Sequence, residues 1–346
     1  MPGPPAYVRA LPKIQLHCHL EGTVRAETFR ELAGAYGADS PRASGPLEAT
    51  YAFATFRDFL LTFAEVCKVL RRPEDYARIA RDYAIDAAAQ NVRYAEVFIS
   101  PSVWTYFHRD LDVAEACRAM RDAFAREGAA RNIEVALICD LTRNFGVERA
   151  QKTVECAVDL AERGLGIVGI GLGGDEVNFP ARLFAEQYAF ARANGLHCVA
   201  HAGEAAGPES VREAIDLLHA ERIGHGVRAI ADAELVAELA ERRIALELCP
   251  TSNHLTGAVA PGAEHPIGAF DAAGVLCTVD ADDPALFSTS LSDELGLVAS
   301  WLGEESVLRF TRNAVDASFA SDERKANLRR ELDAFGLEMT PRQRTW

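Results

Sequence analysis

Short runs of alternating apolar and polar residues recur along the chain, separated by longer stretches of helical periodicity. In "KIQLHCH" the apolar Ile14, Leu16 and Cys18 alternate with Gln15, His17 and His19. That is the period-two pattern of a strand. Strands are predicted near Ile14–His19, Val92–Ser100, Ile133–Asp140, Ile167–Leu172, His197–Ala202, Arg222–His225, Ala245–Leu248 and Val275–Thr278. Between them stand helical patterns such as "PEDYARIARDYAIDAAAQ", "DVAEACRAMRDAFAREGAA" and "ARLFAEQYAFARANG". The last two end in glycine-containing stops. Eight strands alternating with helices predict an α/β chain folded as a (β/α)8 TIM barrel. A doubly wound sheet is the alternative, but no GxGxxG follows the first strand.

Two regions exceed a minimal barrel. Residues 26 to about 90 are long for one crossover and contain "YAFATFRDFLLTFAEVCKVL", with Phe56, Phe59, Leu60 and Phe63 on one helical face. The face reads either as core or as an apolar lid over the barrel mouth. Beyond residue 290 the chain reads as terminal helices that close the barrel. Residues 1–346 are therefore expected to form one barrel domain with a helical lid insertion at about 26–90.

Composition adds limits. The chain is 49% hydrophobic and 25% charged, enough apolar material for a large core. A net charge of -15 disfavours nucleic acid and anionic membranes as partners. The opening "MPGPPAYVRALPK" has no apolar core of a signal peptide, and no stretch has transmembrane length. Eight scattered cysteines form no CxxC pair, which fits reduced thiols and a cytoplasmic location.

The polar residues at the strand ends carry the chemistry. Residues i and i+2 of a strand share a side, so His17 and His19 converge on one point. His201 ends strand five and is followed by Glu204, His225 ends strand six, and Asp282 and Asp283 follow strand eight. In a barrel these strand ends meet at one face, where active sites lie. Three histidines (His17, His19, His201) and the Asp282 carboxylate suit one zinc or similar divalent ion, with room for a water. Such an ion lowers the pKa of its water to about 7. Glu204 could then shuttle a proton, His225 could orient the water, and Asp282 could accept its proton. The bland alternative is a solvated strand end with unrelated histidines. Two rival metal sites fail on residue type. "HLE" at His19–Glu21 lacks a matching PCxxC, and none of the four lysines stands where it could bridge two metals.

The motifs "LPKIQLHCHLEGT", "GLGGDE", "HAGE", "RIGHG", "CPTSN", "HPIGAF" and "DADDP" occur in the order of the adenosine deaminase family of the amidohydrolase superfamily. The chain resembles that family from about residue 10 to beyond residue 330. The resemblance implies His17, His19, His201 and Asp282 as zinc ligands, and Glu204 as proton donor to purine N1. It further implies that His225 positions the attacking water, Asp283 bonds purine N7, and the Gly174 N–H faces N3. The reaction implied is attack of hydroxide at C6 of an adenine ring with loss of ammonia. Ser252 and Asn253 are expected only to shape the seventh loop, and His265 to be structural.

Three departures bear on specificity. Gly171 stands where many family members carry Asp, and His254 where an aliphatic residue is usual. Glu21 replaces an Asp that contacts the ribose 5′-hydroxyl in adenosine enzymes. If the first strand continues, Glu21 shares the face of His19, and its longer carboxylate is expected to touch the substrate and set specificity. The helix "FRDFLLTF", with Phe59 and Phe63, resembles the apolar gate of nucleoside enzymes. The expected substrate is thus adenosine. The alternatives are 6-amino-6-deoxyfutalosine, free adenine, or a silent protein that only binds purine nucleosides. One zinc per chain is the implied cofactor and a small purine nucleoside the implied partner; oligomeric state is not legible.

Overall fold

In a computed structural model, residues 3–339 are described. Eight parallel strands run in sequence order: β1 (Lys13–Gln15), β2 (Val92–Ile99), β3 (Glu134–Thr142), β4 (Ile167–Gly173), β5 (His197–Ala202), β6 (Arg222–His225), β7 (Ala245–Leu248) and β8 (Cys277–Val279). Each strand pairs in parallel with the next, β1 with β2 through to β7 with β8. The eight expected strands are all present, within a few residues of their expected ends.

The seam between β8 and β1 closes at the candidate site itself. The first strand ends earlier than expected, but its alternation persists through single bridges from Cys18 to Asp282 and from His19 to Phe98. Asp282 N donates to His17 O and His19 N donates to Asp282 O, at 3.0 and 2.9 Å. Just beneath, the buried Asp280 carboxylate accepts from Leu16 N and His17 N. Closing the barrel therefore places Asp282 against both leading histidines.

Outward-facing strand residues pack under the helices in one continuous core. Inside the barrel a small apolar plug of Phe98, Ile138 and Val199 fills the middle. Below it Arg222, fully buried, lies between Glu96 and Glu247 at 2.5 Å from each. Phe319, which follows the helix Glu304–Ala317, covers that guanidinium at 3.8 Å.

The excess region after β1 holds helices at Ala26–Ala35, Pro41–Ser44, Phe56–Val69 and Pro73–Ala89. Helices Leu291–Leu302, Glu304–Ala317 and Asp322–Met339 follow β8, as expected. All eight cysteines are free. Among the described residues no helix is long and apolar enough to cross a membrane.

Candidate active site

Four donors meet at the carboxyl ends of the strands. His17 Nε2 and His19 Nε2 each lie 3.5 Å from Asp282 Oδ1. His19 Nε2 and His201 Nε2 face one another at 3.2 Å. All four residues are buried. Donor atoms of His17, His19 and His201 all fall within 4.8 Å of one another, as do those of His19, Asp282 and Asp283. Two imidazole nitrogens pointed at each other and at a carboxylate leave a positive charge between them as the natural partner. Burial, and then the crowding of neighbouring imidazoles, holds His201 well below its ordinary pKa. Burial likewise lowers His19 to about 3. Both are thus neutral, the form that binds a metal. Burial alone would lower His17 too, but hydrogen bonds to Asp282 and Glu247 raise it. A proton on its Nε2 and a bound cation would satisfy the same carboxylate, so the residues fit a divalent ion with N and O preference.

The candidate ligands are braced from outside. His17 Nδ1 lies 2.8 Å from Glu247 Oε2, and Arg222 Nε holds the other oxygen of that carboxylate at 2.5 Å. Such outer partners fix ring orientation and tautomer in metal sites. Asp282 and His225 both carry left-handed backbone, φ 60° and 61°. Neither is glycine, and each such residue costs about 1–3 kcal/mol, held here by the surrounding structure.

Glu204 and His225 border the candidate ligand group. Glu204 Oε2 lies 3.7 Å and Asp282 Oδ2 4.0 Å from His225 Nε2. Burial first, then the Asp282 and Glu176 carboxylates, push Glu204 up to about 8. It therefore keeps a proton at neutral pH. Its loop is set by Glu176, whose carboxylate accepts from the backbone N–H groups of Gly203, Glu204, Ala205 and Ala206. Asp283 stands at the start of the helix Pro284–Phe287, but its side chain makes no capping bond. Its Oδ1 is buried without a hydrogen-bond partner among the described residues. Burial, then Asp282, raise its pKa well above the carboxyl range.

These groups open onto a cavity of about 300 Å³. Its inner end is lined by His19, His201, Glu204, His225, Asp282 and Asp283, and one side by Gly173 and Gly174. Gly174 has φ 100°, a conformation that requires glycine. The outer walls are Phe56, Phe59, Leu60, Phe63, Val103, Tyr106, Phe107 and Phe145. Phe56, Phe59, Leu60 and Phe63, which share a face by helical spacing, thus line the cavity together and also pack on the core. Phe63 meets the His19 ring edge-on at 5.9 Å, and Phe59 stacks on Phe287 at 4.9 Å.

Glu21 leaves the strand face expected of it. The expected continuation of the strand does not occur: Glu21–Thr23 form a helical turn. Glu21 is fully buried and absent from the cavity walls. Its Oε1 accepts from Ser100 N at 2.9 Å and Trp104 Nε1 at 2.6 Å. It joins the segment after β1 to the segment after β2, and its Oε2 is buried without a hydrogen-bond partner among the described residues. Glu21→Ala should therefore cost about 3 kcal/mol in denaturant unfolding, because two buried donors lose their acceptor. Glu21→Gln keeps an acceptor and should cost far less, and neither change should alter the ratio of kcat/KM between substrates. A tenfold shift in that ratio with Glu21→Asp would restore the specificity role.

The other departures also find their places. A side chain at Gly171 would strike Asp140 Oδ1 at 2.6 Å and the Phe98 ring at 2.7 Å. A carboxylate thus occupies this space from β3 instead of β4. Asp140 lines the cavity, with Oδ1 unpaired among the described residues, and it was not anticipated. His254 lies outside the cavity walls and meets His265 edge-on at 5.9 Å. Glu176, Glu247 and Arg222 were missed as well. Their partners lie on other strands and loops, which leaves no local periodicity.

Known proteins resemble this chain along nearly its whole length. The family model described as adenosine deaminase matches residues 12–335. An aminodeoxyfutalosine deaminase of Streptomyces coelicolor is 39% identical over 334 residues, 95% of this chain and 86% of that protein. An adenine deaminase from Arthrobacter aurescens superposes with a TM-score of 0.88 at 31% identity, over 94% of this chain and 99% of that one. A cog1816 amidohydrolase from Burkhoderia ambifaria with bound Zn superposes at 0.86 with 32% identity, over 96% and 93%.

Proposed function

The chain belongs to the adenosine deaminase family, hydrolytic deaminases of adenine-containing compounds, and from that premise we propose that it removes the 6-amino group from an adenine nucleoside extended by an aryl group on its 5′ side. 6-Amino-6-deoxyfutalosine is the compound of this class. The convergence of His17, His19, His201 and Asp282 beside Glu204 supports the chemistry best. We assign those four to one zinc ion; that a similar amidohydrolase was solved with bound Zn supports this choice of metal. When bound, zinc supplies an acidified water with a pKa near about 7.

The chain's own residues do the rest. Glu204 delivers its proton to ring N1, which makes C6 electrophilic. His225 orients the water toward C6, and Asp282 takes up its proton. Asp283 holds N7 and the Gly174 N–H meets N3. Water adds at C6, the C6–N bond breaks, ammonia leaves, and the ring becomes a 6-oxopurine.

Two observations move the preference away from adenosine itself. Glu21 is buried, and its Oε1 already accepts from Ser100 N and Trp104 Nε1, which disfavours its service to a 5′-hydroxyl. The mouth is instead aromatic, through Phe56, Tyr106, Phe107 and Phe145. Aromatic walls stack against an aryl group for about 0.5–1.5 kcal/mol beyond buried area. The relative named as an aminodeoxyfutalosine deaminase agrees with this choice. Free adenine is the second reading, favoured by the backbone likeness to the Arthrobacter aurescens adenine deaminase. The test is kcat/KM for 6-amino-6-deoxyfutalosine, adenosine and adenine. The first should exceed both others by at least about tenfold, within the discrimination that hydrophobic contacts provide. Highest activity on adenine would overturn the choice of substrate and leave the chemistry standing.

A further inference from the structure

A directional hydrogen-bond chain leads from the outer layer of the barrel to His225. Ile267 N lies 3.2 Å from His265 Nδ1. His265 Nε2 lies 3.0 Å from Asn253 Oδ1, and Asn253 Nδ2 lies 3.0 Å from His225 Nδ1. All three side chains are buried. Trp301 stacks on the outer face of His265 at 5.8 Å.

The directions follow from one fixed point. A backbone N–H can only donate, so His265 Nδ1 must accept. The proton of a neutral His265 therefore sits on Nε2 and is donated to Asn253. The oxygen of Asn253 must then face His265, which leaves its NH2 group to donate to His225 Nδ1. The reversed amide would require His265 to accept at both nitrogens, which a neutral imidazole cannot do. His225 is left with its single proton on Nε2, toward Glu204 and Asp282.

We propose that Asn253 and His265 are positioning residues that lock His225 in the tautomer protonated at Nε2. His225 then acts as a hydrogen-bond donor to the oxygen at C6 and not as the acceptor of the water's proton. The catalytic consequence rests on the reading above; the tautomer does not. Neither residue lines the cavity, so neither touches substrate. Burial, which keeps both His225 and His265 uncharged, is consistent with this arrangement.

The test substitutes the middle link. Asn253→Asp places an acceptor against both rings, so His225 must protonate at Nδ1. The readout is 15N NMR of the histidine side chains in the zinc-loaded protein at neutral pH, with kcat and KM measured beside it. In the unaltered protein His225 should show a protonated Nε2 and a bare Nδ1. In Asn253→Asp that pattern should reverse or become doubly protonated, and kcat should fall by about 10–100-fold with KM within about threefold, the range for outer partners of a site. His265→Ala should show a weaker form of the same change, and His265→Gln, which can still donate, should recover part of it. These two serve if Asn253→Asp does not fold. An unaltered protein with the proton on Nδ1, or variants whose 15N pattern stays fixed, would overturn the inference. If no adenine compound is deaminated, the 15N pattern still decides the tautomer, and only the proposed function fails.

Discussion

Glu204→Gln should lower kcat by at least about 10²–10⁴-fold, the usual worth of a positioned general acid, with zinc content unchanged. The side chain keeps its size and its place beside His225 but has no acidic proton to give. The loop itself should hold, because Glu176 grips the backbone from Gly203 to Ala206 and not the Glu204 side chain. The pH dependence follows from the same group. Its pKa is raised to about 8, so the active protonated form dominates below that value and is lost as pH rises through it. A nearby cation favours the ionised form and moves the alkaline limb to lower pH. The limb should therefore lie at or below about pH 8 and be absent in Glu204→Gln. A loss confined to KM would make Glu204 a binding residue only.

The second large effect is on the proposed metal ligands. His17→Ala or Asp282→Ala should abolish turnover and strip most of the zinc, while the protein stays folded. Each change removes one of the four proposed protein ligands and would open the coordination sphere. The fold should survive because the groups left behind keep partners. Glu247 retains Arg222 when His17 is lost. The backbone bonds of Asp282 to His17 and His19 close the barrel seam without the side chain. Loss of the left-handed strain at Asp282 is not expected, since alanine keeps the Cβ. Retained activity with retained zinc in Asp282→Ala would move the fourth ligand elsewhere, with Asp283 the nearest candidate.

Much of the site was legible because barrel strand ends converge. The i and i+2 spacing of His17 and His19 survived although regular pairing stops at Gln15, because single bridges to Asp282 and Phe98 keep the backbone extended. The same logic failed two residues later. The turn at Glu21–Thr23 ended the alternation, and no local signal marked where it would begin. The shared face of Phe56, Phe59, Leu60 and Phe63 on the cavity was readable from helical spacing. The outer supports were not. Glu247, Arg222, Glu176 and Asn253 act on partners far away in sequence, and from spacing alone each looks like an ordinary strand or loop residue. Asp140 was hidden for a related reason. Only the register of Asp140 with Gly171 shows that one strand fills the space its neighbour leaves.

The most direct test is a metal titration of the stripped protein, followed by ammonia release from an adenine-ring substrate. Chelated protein should be folded and inactive, and activity should rise in proportion to added zinc and level off at one ion per chain. Full activity in the stripped protein, or a plateau at two ions per chain, would contradict a single site built from His17, His19, His201 and Asp282.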